Sequence, residues 1–174
     1  PGDAPATRSF DDHFLVFSTG GVSMGMNIVL MFMYQSIHGS LFLHVGLISA
    51  VFMLGLCLGS LASQAILSRA PATSWLVMPI GILLYAPLAA AVVFSPADLS
   101  QSAFIGGFLL AGALGGVFVP VAASRLNAAS VPHEVAGAMI EWNDHLGGAC
   151  GGLLTALVLL PIFGGAYTAC ALAF

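Results

Sequence analysis

Charge is what this sequence has least of. Only 6% of its 174 residues are charged, and its cationic side chains are three arginines. Soluble globular proteins carry about 25% charged residues, so a soluble domain is excluded. A basic surface is also absent, which excludes nucleic acid as a partner. Because 59% of the residues are hydrophobic and the mean hydropathy is +1.05, we predict an all-α polytopic membrane protein.

Disulfide, metal and catalytic patterns are missing as well. The cysteines are separated and odd in number, so we interpret them as packing residues; they are Cys57, Cys150 and Cys170. His38 and His44 are interpreted as residues of an outer loop, which His145 cannot reach from the opposite side. There is no haem-attachment motif, nucleotide-binding loop or catalytic constellation. The sequence therefore predicts no enzyme activity in this chain, no cofactor and no metal site.

Long uncharged stretches predict five complete membrane spans and part of a sixth. No Asp, Glu, Lys or Arg lies between His13 and Arg69, and a spanning helix needs about 20 residues, so two spans fit there. The polar break QSIHGS separates them, and Pro161 with the glycines after it marks the last turn. The predicted spans are about 14–34, 41–67, 75–94, 102–123, 136–160 and 166–174, after a solvated leader or linker at 1–13.

The arginines predict the orientation of the chain. Threading the five spans in order puts Arg8, Arg69 and Arg125 on one side of the membrane and Asp98 on the other. Cytoplasmic segments carry the excess of arginine and lysine in membrane proteins. The N-terminus is therefore predicted to be cytoplasmic, with the turn between the first two spans outside.

Glycine is abundant, and much of it recurs at a spacing of four residues. In lipid, apolar side chains gain little by touching one another, so small residues that let backbones approach closely hold helices together. Such pairs occur in predicted spans one, two, four and five and predict a tightly packed bundle. They are Gly21 and Gly25, Gly55 and Gly59, Gly112 and Gly116, Gly147 and Gly151, and Gly148 and Gly152.

Span five opens on a run of polar side chains. Glu141, Asp144 and His145 stand at i, i+3 and i+4, so they share one helix face, with Glu141 at the cytoplasmic headgroup boundary. Two interpretations stay open. In the first, the run anchors the helix in the interface, and Asp144 pairs with His145 or an arginine. In the second, the run is a polar site that faces the bundle interior near Asn27 or Gln64.

Three segments occur in an order that resembles a known family. The first covers 20–60 and includes a Tyr-Gln pair, a glycine four residues after Gln35, and the run FMLGLCLGS. The second is GALGGVFVPVAA at 112–123, and the third runs over 136–164 with a central aspartate and ends in Pro-x-x-Gly. Together they resemble the membrane domain of the bacterial proteins described as fused major facilitator and spermidine synthase-like proteins. The resemblance implies half of a major facilitator in the bacterial inner membrane.

Departures from that family limit what the resemblance implies. Asn27 stands where the family has a carboxylate in span one. Ser63 stands where the major facilitator superfamily has the acid of its loop between spans two and three. The family's aminopropyltransferase domain, with its Gly-Gly-Gly-Asp-Gly loop, does not occur in these residues. Polyamine synthesis is therefore not implied for this chain.

Three functional hypotheses follow. The first is an integral membrane subunit or domain that anchors or scaffolds a larger complex, with lipid and other membrane subunits or a second copy as partners. The alternative is a half-transporter for a small polar molecule or polyamine, in which Asp144, Asn27 and Gln35 line a polar path. A quinone- or haem-binding redox subunit is the third. Further chain is expected beyond both ends, because the sixth span is incomplete.

The predicted orientation can be tested with reporter fusions. Green fluorescent protein, which fluoresces only when it folds in the cytoplasm, should be bright after Arg69 or Arg125. Alkaline phosphatase, which is active only outside the cytoplasm, should be active when fused within 35–40 or 95–100. The reverse pattern of the two reporters would contradict the orientation.

Overall fold

The computed structural model describes residues 4–39, 41–69, 83–85, 90, 100–128 and 131–173. Nearly all of them are helical, and no strand occurs among them. The helices are α1 Ala4–His38, α2 Leu41–Arg69, α3 Gln101–Ala128, α4 His133–Leu154 and α5 Leu160–Ala173, and a π-helical turn, Thr155–Leu159, joins the last two. The predicted all-α class is confirmed.

Four helical stretches are long and apolar enough to cross a membrane. They are His13–His38, His44–Arg69, Gln101–Asn127 and His133–Ala173. The predicted spans 14–34, 102–123 and 136–160 fall within these stretches, and 41–67 does so except for its first three residues. The predicted span 75–94 lies outside the described residues except for 83–85 and residue 90, which are helical. A multi-pass membrane protein is thus supported, while a count of five spans and a partial sixth stays a prediction.

Helix α1 begins at Ala4, ten residues before the span that the sequence predicts. Residues 4–13 of the predicted leader therefore continue the helix of the first span. The change from charged to apolar residues marks where a helix would enter the hydrocarbon, and the stretch able to cross a membrane does begin at His13. It does not mark where the helix ends, because α1 meets no glycine or internal proline after Pro5 until well inside the span.

α1 and α4 lie side by side and run in the same direction. Gly147 contacts the backbone of Phe17, and Gly151, one turn later, contacts the backbone of Gly21. A side chain at either glycine of α4 would clash with the backbone of α1. The two helices therefore meet backbone to backbone, as small residues allow in lipid.

α2 and α3 form a second parallel pair of the same kind. Gly112 contacts the backbone of Phe52, and Gly116 contacts the backbone of Leu56. The pair is joined to α1, which runs antiparallel to both: Ser23 lies against Gly115, near the middle of α3, while the Tyr34 hydroxyl reaches the start of α3. Because α2 and α3 are parallel, the end of α2 and the start of α3 lie at opposite ends of the pair.

The break in the last helical stretch lies at Gly164. Its backbone, with φ 72° and ψ 175°, is non-helical and strongly favours glycine. The chain then returns along α1, since Gly165 lies against Met33 whereas Leu172 lies against Gly25. The break lies within the segment that the sequence predicts for the turn, Pro161 with the glycines after it. The π turn directly precedes Pro161, whose ring would clash with the carbonyl four residues back in a regular α-helix.

The most deeply buried apolar residues lie where α1, α2 and α3 meet. Tyr85, from the helical residues 83–85, belongs to this core, and its hydroxyl donates a hydrogen bond to the Ala111 carbonyl at 3.3 Å. Large apolar side chains cover the outer faces of the helices, as expected for a protein whose solvent is lipid. Examples with more than half of the side chain exposed are Met53, Leu61, Leu153, Leu157 and Tyr167.

The glycine contacts predict a sharp difference between two glycines of α2. A Cβ atom at Gly59 would fall on the backbone carbonyl of Ala113, whereas one at Gly46 would meet nothing within 4 Å. We expect Gly59→Ala to destabilise the protein by about 1–3 kcal/mol, as overpacking does. Gly46→Ala is the matched control and should be neutral or slightly stabilising, because alanine favours the helix.

Thermal unfolding of the purified protein in detergent, followed by size-exclusion chromatography, measures this difference. Equal unfolding midpoints for the two variants would show that α2 and α3 do not meet at Gly59.

Candidate functional site

A groove opens between α1, α2 and α4 beside the carboxylate of Asp144. Its volume is about 370 Å³. The walls are mostly apolar, and the polar groups in them are the side chains of Ser23, Asp144 and His145. The residues that line it are Gly20, Ser23, Met24, Phe52, Met53, Leu56, Asp144, His145, Gly148 and Ala149. Of the two interpretations of span five, the groove favours a polar site over an interfacial anchor.

The position of Asp144 depends on Gly20. A Cβ atom at Gly20 would lie 2.7 Å from the Asp144 carbonyl oxygen and 2.8 Å from its Oδ1 atom. The missing side chain on α1 therefore makes the space that the carboxylate occupies. Asp144 is half-buried, and its carboxylate is attracted to the neighbouring His145. Because it also lines the groove, the carboxylate can accept hydrogen bonds from a molecule there.

The side chains of His145 and Glu141 are more exposed than that of Asp144. The Nδ1 atom of His145 lies 2.8 Å from the Glu141 carbonyl oxygen, which can only accept, so Nδ1 carries a proton. In the neutral ring the Nε2 atom is then the hydrogen-bond acceptor. The side chain of Glu141 is exposed, and the indole of Trp142 is 69% exposed, as expected near a membrane interface.

Asn143 is a residue of this region that sequence analysis missed. Its Nδ2 atom donates hydrogen bonds to His13 Nδ1 at 2.8 Å and to the Met139 carbonyl at 2.7 Å. The Asn143 side chain therefore joins the start of the first span to α4, at the residue that precedes Asp144. An asparagine between two ionisable residues was the available signal, but no sequence pattern pairs it with a histidine 130 residues away.

The other predicted polar residues do not meet Asp144. Asn27 is buried two turns after Gly20 on α1, and the hydrogen bond that its side chain makes among the described residues is a weak one, 4.0 Å from Nδ2 to the Met24 sulfur. Gln64 lies in a separate groove of about 460 Å³ between α2 and α3. Gln35 is exposed near the outer end of α1. The structure thus gives Asp144 neither of the two neighbours that the sequence suggested.

The glycines of span five divide into two sets. Gly147 and Gly151 make the backbone contacts with α1, as Gly55, Gly59, Gly112 and Gly116 do between α2 and α3. Gly148 and Gly152 have only ordinary distances to their neighbours, and Gly148 instead lines the groove. Gly21 and Gly25 lie on the α1 side of the contact, where Gly25 packs against Thr155 and Leu172.

His38 and His44 are not loop residues, contrary to the prediction. His38 ends α1 and His44 lies in the first turn of α2, and the two flank the ring of Tyr34 at centroid distances of 5.0 and 6.1 Å. Gln101 donates to the Tyr34 hydroxyl at 2.9 Å and to His44 Nε2 at 3.3 Å. The turn is shorter than predicted: α1 ends at His38, α2 begins at Leu41, and Gly39 between them has a positive φ, which favours glycine.

We call this group the outer cluster; it consists of Tyr34, His38, His44, Gln101 and Phe104. Tyr34 and Phe104 meet edge to face at 5.7 Å, and His38 meets Phe104 at 5.5 Å. The cluster ties α1 and α2 to the beginning of α3. Within the described part of the chain, no three His, Cys, Asp or Glu residues come together in a way that could hold a metal ion.

Five buried polar atoms among the described residues have no partner within hydrogen-bonding distance, although the Ser23 hydroxyl lies near that of Tyr85. An unpaired polar atom costs about 1–3 kcal/mol when it is buried. Three of the five lie on α1, and one of them belongs to Ser23, which lines the groove. The atoms are Ser23 Oγ, Asn27 Oδ1, His38 Nε2, Ser63 Oγ and Thr155 Oγ1.

No family model, curated protein or solved structure matches this chain. The resemblance to fused major facilitator and spermidine synthase-like proteins therefore stays a prediction from the sequence. What the chain does has to be argued from the groove and from the residues around it.

Proposed function

We propose that this chain is the membrane-embedded half of a transporter and that its groove binds a small polar or positively charged solute at Asp144. The observation that carries the proposal is a half-buried carboxylate that lines a groove within the bundle. Ionisable groups inside membrane spans are costly, and they usually mark a pathway for ions or substrates.

The chemistry of the groove favours a cation or a hydrogen-bond donor. An ionised carboxylate only accepts hydrogen bonds, and those from charged donors are the stronger ones. The apolar side chains of Phe52, Met53 and Leu56 lower the local dielectric, so the attraction between a cation and Asp144 is stronger than in water. No arginine lines the groove to compete for the carboxylate.

The helix directions support a transporter half. Two parallel pairs are joined through antiparallel contacts between α1 and α3, and a membrane chain that crosses the bilayer repeatedly forms such an arrangement. Transporters are commonly built from two repeated halves with the substrate between them. A second copy of this chain, or further chain attached to it, would supply the other half.

The departures from the resembled family agree with this role for Asp144. The acids expected in span one and in the loop after span two are replaced by Asn27 and Ser63. Two acidic residues of the described spans border grooves, and Asp144 lies deeper in the span than Glu134, which lines a second groove at the start of α4. A bacterial inner membrane location with a cytoplasmic N-terminus is part of the proposal, and it would place the groove near the cytoplasmic side.

An anchoring or scaffolding subunit is the second candidate. The observation in its favour is the broad apolar surface on the outer face of α4 and α5, which includes Leu153, Leu157, Ile162, Phe163 and Tyr167. This surface suits lipid and would equally suit the spans of a partner subunit. The anchoring role would need no solute at Asp144.

Ligand-dependent stability tests the proposed binding site. The purified protein would be heated with methylammonium, guanidinium, urea or acetate, since a ligand at 100 times its Kd stabilises the folded state by about 2.7 kcal/mol. We expect a cation to raise the unfolding midpoint and Asp144→Asn to abolish the rise. Loss of a charged hydrogen bond, worth about 1.5–3 kcal/mol, weakens binding by about 10- to 100-fold.

Glu141→Gln is the matched control, because it removes a carboxylate one turn away that does not line the groove. This variant should bind like the wild type. A midpoint that no solute raises, together with large partner proteins that copurify in stoichiometric amounts from native membranes, would favour the anchoring subunit. An equal response of Asp144→Asn and wild type would remove Asp144 from the site.

A further inference from the structure

We infer that the route of the solute across the membrane follows one face of α1, from the groove at Ser23 past Asn27 to Tyr34 and His38. The outer cluster is the closed end of that route. This inference rests on the proposed transport function, and it adds where the solute passes and which end is shut.

The four residues share one face of the helix. An α-helix turns by about 100° per residue, so Ser23, Asn27, Tyr34 and His38 fall within an arc of about 60°. With a rise of about 1.5 Å per residue, the distance from Gly20, beside Asp144, to His38 is about 27 Å. The hydrocarbon core of a bilayer is about 30 Å thick. A polar face of α1 therefore extends through most of the membrane.

The first two residues of this face are buried polar side chains. Only 6% of Ser23 and 7% of Asn27 is exposed; the Ser23 hydroxyl lies near the Tyr85 hydroxyl, and Asn27 Oδ1 makes no hydrogen bond to a described residue. No water in the hydrocarbon can satisfy such atoms, so their burial in an apolar bundle is unfavourable. A molecule that enters from the groove would satisfy them, since Ser23 already lines the groove and Asn27 lies one turn beyond it.

These oxygens indicate the chemistry of the passing solute. Asn27 Oδ1 can only accept, and the Ser23 hydroxyl can accept as well, so the solute must carry donors or positive charge. Neither arginine nor lysine occurs on this face between Gly20 and His38. The route therefore suits a protonated amine or a hydrated monovalent cation, the class that Asp144 would also attract.

Beyond Leu30 the route is closed. Tyr34 and Phe104 are each at most 2% exposed, and their rings meet edge to face. The hydrogen bond from Gln101 holds the Tyr34 hydroxyl against α3. A transporter that is open on one side and shut on the other has this arrangement, and breaking the Gln101 contact would loosen the shut end.

Accessibility of a single cysteine tests the route. Cys57, Cys150 and Cys170 would be changed to serine, and Asn27→Cys would be probed in membrane vesicles with a trimethylammonium methanethiosulfonate reagent, which is cationic and does not cross membranes. Leu157→Cys is the matched control. Thr155 contacts Gly25, so residue 157 lies at the depth of residue 27, but Leu157 is 69% exposed on the outer face.

We expect Asn27→Cys to react at least tenfold faster than Leu157→Cys when the reagent is on the side of Asp144. From the other side it should react only after Gln101→Ala or Tyr34→Ala has opened the outer cluster. Ser23→Cys and Leu30→Cys, which lie before and after Asn27 on the same face, serve if Asn27→Cys does not fold. Each variant is first checked for a single monodisperse peak in detergent.

Two results would overturn the inference. One is a rate for Asn27→Cys as slow as that of the control from both sides; the other is labelling that reaches Ser23→Cys but neither Asn27→Cys nor Leu30→Cys. Either would confine the solute to the groove and leave binding at Asp144 intact. Loss of cation binding in the wild type, with Asn27→Cys still labelled, would instead contradict the proposed function and keep a hydrated route.

Discussion

Direct contact between helix backbones at glycine is the interaction on which this bundle depends. Lipid tails and apolar side chains are equally apolar, so burial of side chains contributes little to helix association in a membrane. Close packing has to stabilise the association instead. Gly59 on α2 and Gly151 on α4 each lie so close to a neighbouring backbone that a single methyl group would clash. Because no side chain separates the two backbones, a shift of one helix along the other would bring their atoms into collision.

That constraint also positions the polar groups. α1 contacts α4 through glycines on one face, which turns the face with Ser23 and Asn27 toward the bundle interior. The same contact brings Asp144 onto Gly20, where the absence of a side chain leaves space for a carboxylate. The groove that opens there is lined by residues of α1, α2 and α4. The same small residues thus determine how α1 and α4 pack and where the candidate site forms.

The sequence predicted those features that depend on interactions within a single segment of the chain. Hydropathy marked four of the spans, since the cost of placing a residue in lipid depends mainly on that residue. The start of α1 was missed because the end of a helix and the edge of the membrane are determined by different interactions. His38 and His44 were assigned to a loop because the polar segment QSIHGS suggested a long turn. The helices are in fact joined by a short turn at Gly39.

The sequence by itself determined that this chain is helical, membrane-embedded and packed through glycine, because composition and spacing act within each helix. Only the tertiary structure decided which helices run in parallel and which glycines touch. It also decided that Asp144 borders a groove while Asn27 and Gln64 lie elsewhere. Those outcomes depend on contacts between residues more than a hundred positions apart, and their geometry follows from backbone shape that no single segment encodes.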